Sequence, residues 1–235
     1  SDVYKRQALR VAFLGDSWMG EWQYGTVVPT PIAVSARTVL QERLQHGVEM
    51  TVVAFPGCTA MHALCLAEYC SVQDMAYWSS RGWSIRRTIA MYEEGGWPVD
   101  DEVDLIVVML GSNDLVKKHE PFVVARRLTE FQKLYAQRGK EVAFVTVGGA
   151  GPEHIEMWPG YEEDRVETNR LLKATVSPDV EVVDMDDLVA GLHREFWIDG
   201  WHLHSVGYAT VGRRLGEALT QLCARLLEES YTLCD

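Results

Sequence analysis

Five short apolar runs, separated by segments with helical spacing, restrict the fold of this chain more than any other feature. The runs are residues 9–14, 48–54, 104–110, 141–147 and 179–184. The central runs are almost continuously apolar, which is typical of strands buried on both faces of a parallel sheet. Helical spacing covers residues 31–46, 121–138, 162–176 and 205–229. This alternation predicts right-handed βαβ units, with helices on both faces of one five-stranded parallel sheet.

The domain organisation is predicted from the length of the chain and from the lack of repeats and linkers in its sequence. A chain of 235 residues fits one large domain or two small ones, and its sequence shows no repeat and no low-complexity linker. We therefore predict a single domain over residues 8–235. Residues 1–7 fit no element and are interpreted as a leader or an appended remnant. The segment of about 59–100 is longer than a crossover requires, and it is interpreted as an insertion above the sheet.

Charge and hydropathy exclude some partners. The chain carries 34 acidic and 22 basic residues, giving a formal net charge of −12. This balance argues against a nucleic-acid backbone or an anionic membrane as the main partner. No apolar run approaches the roughly 20 residues that cross a bilayer, and no signal peptide is visible. We expect a soluble protein with a small-molecule partner. The sequence leaves the compartment and the oligomeric state open.

The five cysteines leave at least one thiol unpaired in a monomer. Cys58, His62, Cys65 and Cys70 lie close in sequence, and the first three would share one face of a helix. Common zinc sites use closely paired cysteines, and the spacing of these residues matches no such pattern. Buried free thiols are the favoured interpretation, with a zinc site or a disulfide as alternatives. We expect no metal and no cofactor.

Polar or glycine-containing turns follow three of the predicted strands, and a fourth turn lies in the loop beyond the last strand. They are Gly15-Asp16-Ser17, Phe55-Pro56-Gly57-Cys58, Gly111-Ser112-Asn113-Asp114 and Asp199-Gly200-Trp201-His202. Ligands of open parallel sheets bind outside the carboxyl ends of the strands. The four turns are therefore expected to meet at one edge and to form a site.

The residue types in these turns match the needs of nucleophilic catalysis. A serine hydroxyl requires a base, usually a histidine that is oriented by a carboxylate. Ser17, His202 and Asp199 fit these three roles. The oxyanion of a tetrahedral intermediate requires fixed donors. The backbone N–H groups of Ser17 and Gly57 and the side-chain amide of Asn113 are candidates.

The four turns together resemble the sequence blocks of the SGNH hydrolases, also called the GDSL esterases and lipases. They occur in the family's order between residues 15 and 202, with Trp18 in place of the family's leucine. The resemblance implies a flavodoxin-like three-layer α/β/α sandwich. It also implies serine-type hydrolysis of a carboxylic ester through an acyl-enzyme, with Ser17, Asp199 and His202 as the triad. Ser17, Gly57 and Asn113 would then form the oxyanion hole.

Several functional alternatives stay open at this stage. The substrate is expected to be a small acyl, aryl or acetylated-sugar ester. The same acyl-enzyme could serve an acyltransferase, and the fold could carry a non-catalytic binding module. Asp16 and Asp114 are each expected to support their own loop by accepting backbone N–H groups. His204 is a rival base, and Trp18 and Trp201 are candidate pocket residues.

Overall fold

A computed structural model describes residues 8–23, 26–54, 56–68, 103–151 and 156–232. The strands of these residues are β1 (Leu9–Gly15), β2 (Gly20–Gln23), β3 (Thr26–Pro29), β4 (Val48–Ala54), β5 (Leu105–Met109), β6 (Glu141–Val145) and β7 (Val182–Val183). The helices are α1 (Pro31–Leu44), α2 (Ala60–Glu68), α3 (Ser112–Val116), α4 (Pro121–Gln137), α5 (Tyr161–Thr175), α6 (Met185–Val189) and α7 (Ser205–Thr232). A 3-10 turn covers Arg194–Phe196.

The main sheet has five parallel strands in the order β4-β1-β5-β6-β7. This is the flavodoxin-like order, in which the direction of strand addition reverses beside the first strand. Because of this reversal, helix α1, which comes after β1, and helix α4, which comes after β5, lie on opposite faces of the sheet. The predicted fold class is confirmed, and ligands of such sheets bind at the carboxyl edge beside this reversal.

Alternate side chains of the strands face two separate core clusters. Ala12 and Leu14 pack in one cluster with residues of α2, α4 and α5. Val11 and Phe13 pack in the other with residues of α1, α6 and α7. Five of the seven β1 residues in succession, Val11 to Gly15, are buried, which explains why this run is apolar without alternation. The sheet is thus covered by helices on both faces, as the sequence predicted.

Helices α1 and α7 pack with unusually close backbones. A Cβ placed on Gly212 would lie 2.3 Å from the carbonyl oxygen of Ile32, and one on Gly216 would lie 2.7 Å from that of Ala36. Glycine is therefore required at both positions by the approach of the α1 backbone. This packing holds α7, and the loop that leads into it, against the sheet.

The structure differs from the sequence predictions at two places. The last strand contains only Val182–Val183 rather than residues 179–184, because Asp184 caps α6 by accepting the N–H of Asp186. An antiparallel hairpin of β2 and β3, which the sequence analysis did not predict, follows the first strand. Most of the predicted insertion, residues 69–100, lies outside the described residues. No helix in the described part of the chain is long and apolar enough to cross a membrane.

We predict that Gly212→Ala destabilises the protein although alanine favours helices. The added methyl group meets the Ile32 carbonyl at 2.3 Å, and such overpacking reduces the free energy of unfolding by about 1–3 kcal/mol. Urea denaturation measures the change. Gln221→Ala, at an exposed position of the same helix, is the control and should stay within about 0.5 kcal/mol of the parent. Equal stability of Gly212→Ala and the parent would contradict the close packing.

Candidate active site

The loop after β1 is a tight turn built around Asp16. Its buried side chain accepts the N–H of Trp18 at 3.1 Å through Oδ1, and its carbonyl accepts the N–H groups of Met19 and Gly20. Gly15 has no room for a side chain, since a Cβ there would lie 2.4 Å from Cγ of Met19. The turn leaves Ser17 partly exposed at the carboxyl edge of the sheet.

Ser17, His202 and Asp199 form a continuous chain of hydrogen bonds. Nε2 of His202 lies 2.9 Å from Oγ of Ser17, although the two residues are 185 positions apart. Nδ1 of His202 lies 2.8 Å from Oδ2 of Asp199. The carboxylate requires a proton on Nδ1, which leaves Nε2 free to accept the serine proton. The structure therefore brings together the three residues that the sequence analysis selected, in a geometry suited to proton transfer.

Asp199 is held as a carboxylate by its own loop. Its Oδ1 accepts the backbone N–H groups of Trp201 at 2.9 Å and His202 at 2.7 Å. Partial burial opposes ionisation, but the hydrogen bonds from the His202 ring and from these two backbone groups outweigh it and lower the pKa of Asp199 to about 2. The side chain can therefore orient the imidazole as an anion over the whole working range of pH.

His204, the rival base, takes a different place. Its side chain is exposed, and its backbone N–H donates to the carbonyl of Phe196 at 2.8 Å. Trp197 and Leu203 form an isolated antiparallel bridge in this loop. Successive residues of an extended chain point to opposite sides, so residues two positions apart share a side. An extended conformation therefore does not separate His202 from His204, and the observed contact with Ser17 distinguishes them. That contact belongs to His202.

The two further donor candidates lie in the neighbouring loops. Gly57 follows β4 and has φ +85°, a conformation that favours glycine, and a Cβ there would meet no atom within 4 Å. Its carbonyl accepts a hydrogen bond of 3.2 Å from Nζ of Lys117. Asn113 lies in the first turn of α3, directly beyond β5. Both residues are partly exposed, as groups that meet a ligand must be.

Asp16 couples the serine loop to Asn113. Its Oδ2 accepts a hydrogen bond of 3.0 Å from Nδ2 of Asn113, and this bond occupies one of the two amide hydrogens. Asp16 is only 1% exposed. Burial raises its pKa to about 6, although the N–H of Trp18, the nearby His202 and the Asn113 amide each favour the charged form. The sequence analysis expected a loop support here, but it missed the link to Asn113.

Asp114 supports a loop other than its own. Its fully buried side chain accepts the N–H of Ala60 at 2.7 Å, which joins α3 to the start of α2. The other carboxylate oxygen lies 3.3 Å from Nη1 of Arg127. Asp114 and Lys117 therefore both connect the Asn113 loop to the Gly57 loop. Lys117 had no sequence signal, because a lysine after a short helix resembles any surface lysine.

The two candidate pocket tryptophans separate to opposite faces. Trp18 is buried, and its ring meets those of Trp197 and Tyr208 edge-on at 6.2 and 5.9 Å between centroids. Trp201 is 7% exposed and packs on Tyr161 at 4.8 Å. Of these two tryptophans, Trp18 and not Trp201 lines a cavity of about 720 Å³ among the described residues.

The cysteine cluster shows no metal-binding arrangement where the structure describes it. Cys58 is a free, buried thiol, and burial raises its pKa above the usual range. Nδ1 of His62 accepts the N–H of Thr59 at 2.9 Å. Cys70 and the side chain of Cys65 lie outside the described residues. Among described residues, no group of three or more histidine, cysteine or acidic side chains could hold a metal ion.

The chain has the fold of solved esterases and lipases. The aryl esterase of M. smegmatis superposes with a TM-score of 0.58 at 18% identity, covering 92% of this chain and 100% of that one. A member of the lipolytic G-D-S-L family from Veillonella parvula gives 0.59 at 16% identity, covering 91% and 100%. A carbohydrate acetylesterase family member from Sinorhizobium meliloti gives 0.59 at 19% identity, covering 94% and 99%.

No protein-family model matches the sequence, and no curated protein matches it. The likeness is therefore one of fold, and it extends over the whole length of the solved structures. It agrees with the three-layer α/β/α class that the sequence blocks implied.

We predict that Asp16→Asn changes the pH dependence of stability. The pKa of Asp16 in the folded state is about 6, against 3.8 in the unfolded chain. The native state therefore binds this proton more tightly, and ionisation destabilises the fold as the pH rises from about 4 to about 6. The variant cannot ionise there. It should gain stability relative to the parent over this window, by roughly 3 kcal/mol at most.

Urea denaturation at pH 4, 5, 6 and 7 measures the difference. Asp187→Asn, at an exposed position on α6, is the matched control and should show no such trend. A constant difference between parent and Asp16→Asn across these pH values would contradict the raised pKa.

Proposed function

We propose that this chain is a serine-type carboxylic ester hydrolase of the SGNH type that works through an acyl-enzyme. The observation that carries the proposal is the contact of Ser17 Oγ with Nε2 of His202 at 2.9 Å, with Asp199 on the other ring nitrogen at 2.8 Å. A nucleophile, a base and an orienting acid in hydrogen-bond contact are what such chemistry requires.

In the first half of the reaction, Oγ of Ser17 forms a bond to the carbonyl carbon of the ester. Its proton passes to Nε2 of His202, and the carbonyl electron pair moves onto oxygen. Asp199 stabilises the resulting imidazolium. Donors from Ser17, Gly57 and Asn113 receive the oxyanion, and such donors act most strongly on charge that develops in the transition state.

Collapse of this intermediate breaks the bond to the alcohol oxygen. The alcohol takes the proton from Nε2 and leaves, and the acyl group stays on Ser17 as an ester. Water then loses a proton to Nε2 and attacks the acyl carbon. The second collapse returns the proton to Oγ and releases the carboxylic acid, so the enzyme is restored.

The solved structures support the choice of an ester as substrate. Those with the same fold include proteins described as an aryl esterase and as a carbohydrate acetylesterase family member. The substrate class that we propose is accordingly a small acyl, aryl or acetylated-sugar ester. The net charge of −12 fits an uncharged small molecule better than a polyanion.

Ser17→Ala should abolish esterase activity without loss of folding. Removing a nucleophile of this kind decreases kcat by a factor on the order of 10⁶. His202→Ala should have a comparable effect, whereas His204→Ala, at an exposed position, should stay near the parent rate. Hydrolysis of p-nitrophenyl acetate gives the rates, and circular dichroism checks the fold. A Ser17→Ala protein with more than about a tenth of the parent rate would refute the nucleophile.

Asn113 should affect turnover rather than substrate binding. If its free amide hydrogen reaches the oxyanion, Asn113→Ala should decrease kcat by about 10² to 10³ with little change in KM. Asn113→Asp keeps the size but replaces the donor with an anion beside developing negative charge and beside Asp16. It should be at least as slow as Asn113→Ala. A folded Asn113→Asp protein with normal kcat would remove Asn113 from the oxyanion hole.

A further inference from the structure

Lys117 contacts both Asn113 and Gly57, two residues from which the oxyanion donors are proposed. Its backbone N–H donates to the carbonyl of Asn113 at 3.2 Å, in a bond that closes α3 at its C-terminus. Its Nζ donates to the carbonyl of Gly57 at 3.2 Å, across 60 positions of sequence. The lysine lies outside the four turns that suggested the catalytic site, and the proposed reaction steps do not explain why it joins these two residues.

The orientation of Gly57 depends on its backbone contacts. Its φ is +85°, and a Cβ at this position would meet no atom within 4 Å. Glycine adopts positive and negative φ with similar ease, so local sterics do not fix the direction of its N–H. The angle φ relates this N–H to the carbonyl side of the same residue. A hydrogen bond that holds the carbonyl therefore also restricts the direction of the N–H.

The other anchors of the Gly57 loop act further along the chain. The N–H of Thr59 donates to Nδ1 of His62 at 2.9 Å, and the N–H of Ala60 donates to Oδ2 of Asp114 at 2.7 Å. Both bonds hold the start of α2. Among the described residues, the hydrogen bond from Lys117 is the one that acts on Gly57 itself.

The ammonium of Lys117 also brings a positive charge close to the expected oxyanion. Three covalent bonds join the nitrogen and oxygen of one residue, which are therefore at most about 4 Å apart. Since Nζ lies 3.2 Å from the oxygen of Gly57, it lies within about 7 Å of the nitrogen of that residue. A cation at this range attracts a developing negative charge. Lys117 thus opposes the net charge of −12 at the place where the proposed reaction generates an anion.

We propose that Lys117 is a positioning residue for the oxyanion hole. Its two hydrogen bonds hold Gly57 and Asn113 in a fixed relation to each other, and its ammonium adds a positive charge beside them. The observed contacts of Lys117 are with the proposed donors and not with a substrate, so its effect should fall on the transition state. This inference rests on the proposed esterase function.

Lys117→Met tests the role directly, because methionine keeps most of the stem but removes the charge and the donor. With p-nitrophenyl acetate, kcat should decrease by about tenfold or more. KM should change little, since the oxyanion forms only in the transition state. The loss should be smaller than the factor of about 10² to 10³ that follows removal of a donor itself. Lys117→Arg keeps a permanent charge and several donors, and it should retain kcat within about threefold of the parent.

The neighbouring lysine supplies a matched control. Nζ of Lys118 donates to the carbonyl of Pro159 at 2.8 Å, which belongs to neither donor loop. Lys118→Met therefore removes the same charge and the same type of bond one residue away, and it should keep the parent kcat. Thermal unfolding of all three variants checks that they fold. An equal decrease of kcat in Lys117→Met and Lys118→Met would overturn the inference.

A boronic acid separates an effect on the oxyanion from a loss of folded enzyme. Methylboronic acid adds to Oγ of a catalytic serine as a tetrahedral anion of the size of an acetyl group, with an oxygen at the position of the oxyanion. Such analogues depend on the contacts that stabilise the transition state. Its Ki should therefore increase in Lys117→Met by about the factor by which kcat decreases. A smaller fraction of folded protein would decrease the apparent kcat and leave Ki unchanged.

Three further results would overturn the inference. They are a folded Lys117→Met protein with kcat within about twofold of the parent, a decreased kcat with an unchanged Ki, and a folded Lys117→Arg protein as slow as Lys117→Met. In each case, Ser17-dependent hydrolysis by the parent protein would leave the esterase function standing. A parent protein without Ser17-dependent hydrolysis would overturn both.

Discussion

The buried carboxylate of Asp16 is the group on which the rest of the site depends. It accepts the N–H of Trp18 within the turn and the amide of Asn113 from the neighbouring loop. Desolvation of a carboxylate is unfavourable, and burial raises the pKa of Asp16 although these donors favour the charged form. The protein maintains this unfavourable burial at a contact between the nucleophile loop and the proposed oxyanion loop.

The topology of the sheet explains why these loops can meet at all. Strand β1 pairs with β4 on one side and β5 on the other, and Gly15 is in register with Ala54 and Met109. The three strands therefore end at the same level, and the residues just beyond them converge. Asp199 and His202 come from a loop far along the chain, directly before α7. The packing of α7 on α1 holds the end of this loop near the sheet.

The two faces of the sheet contribute different residues beside the proposed site. The face with α2 and α4 holds the donor loops through Asp114 and Lys117. On the face with α6 and α7, Trp18 is buried in the apolar cluster.

The sequence by itself determined the layered fold and identified the residues from which we propose the triad, with His204 left as a rival to His202. Short, almost continuously apolar runs bounded by turn residues are typical of strands buried on both faces, and Ser17, Asp199 and His202 lie in polar turns beyond such runs. Tertiary structure alone decided the choice of His202 over His204, the bond between Asp16 and Asn113, and the cavity beside Trp18. These features join residues distant in sequence through side-chain packing and hydrogen bonding. Local periodicity and spacing carry no information about such contacts.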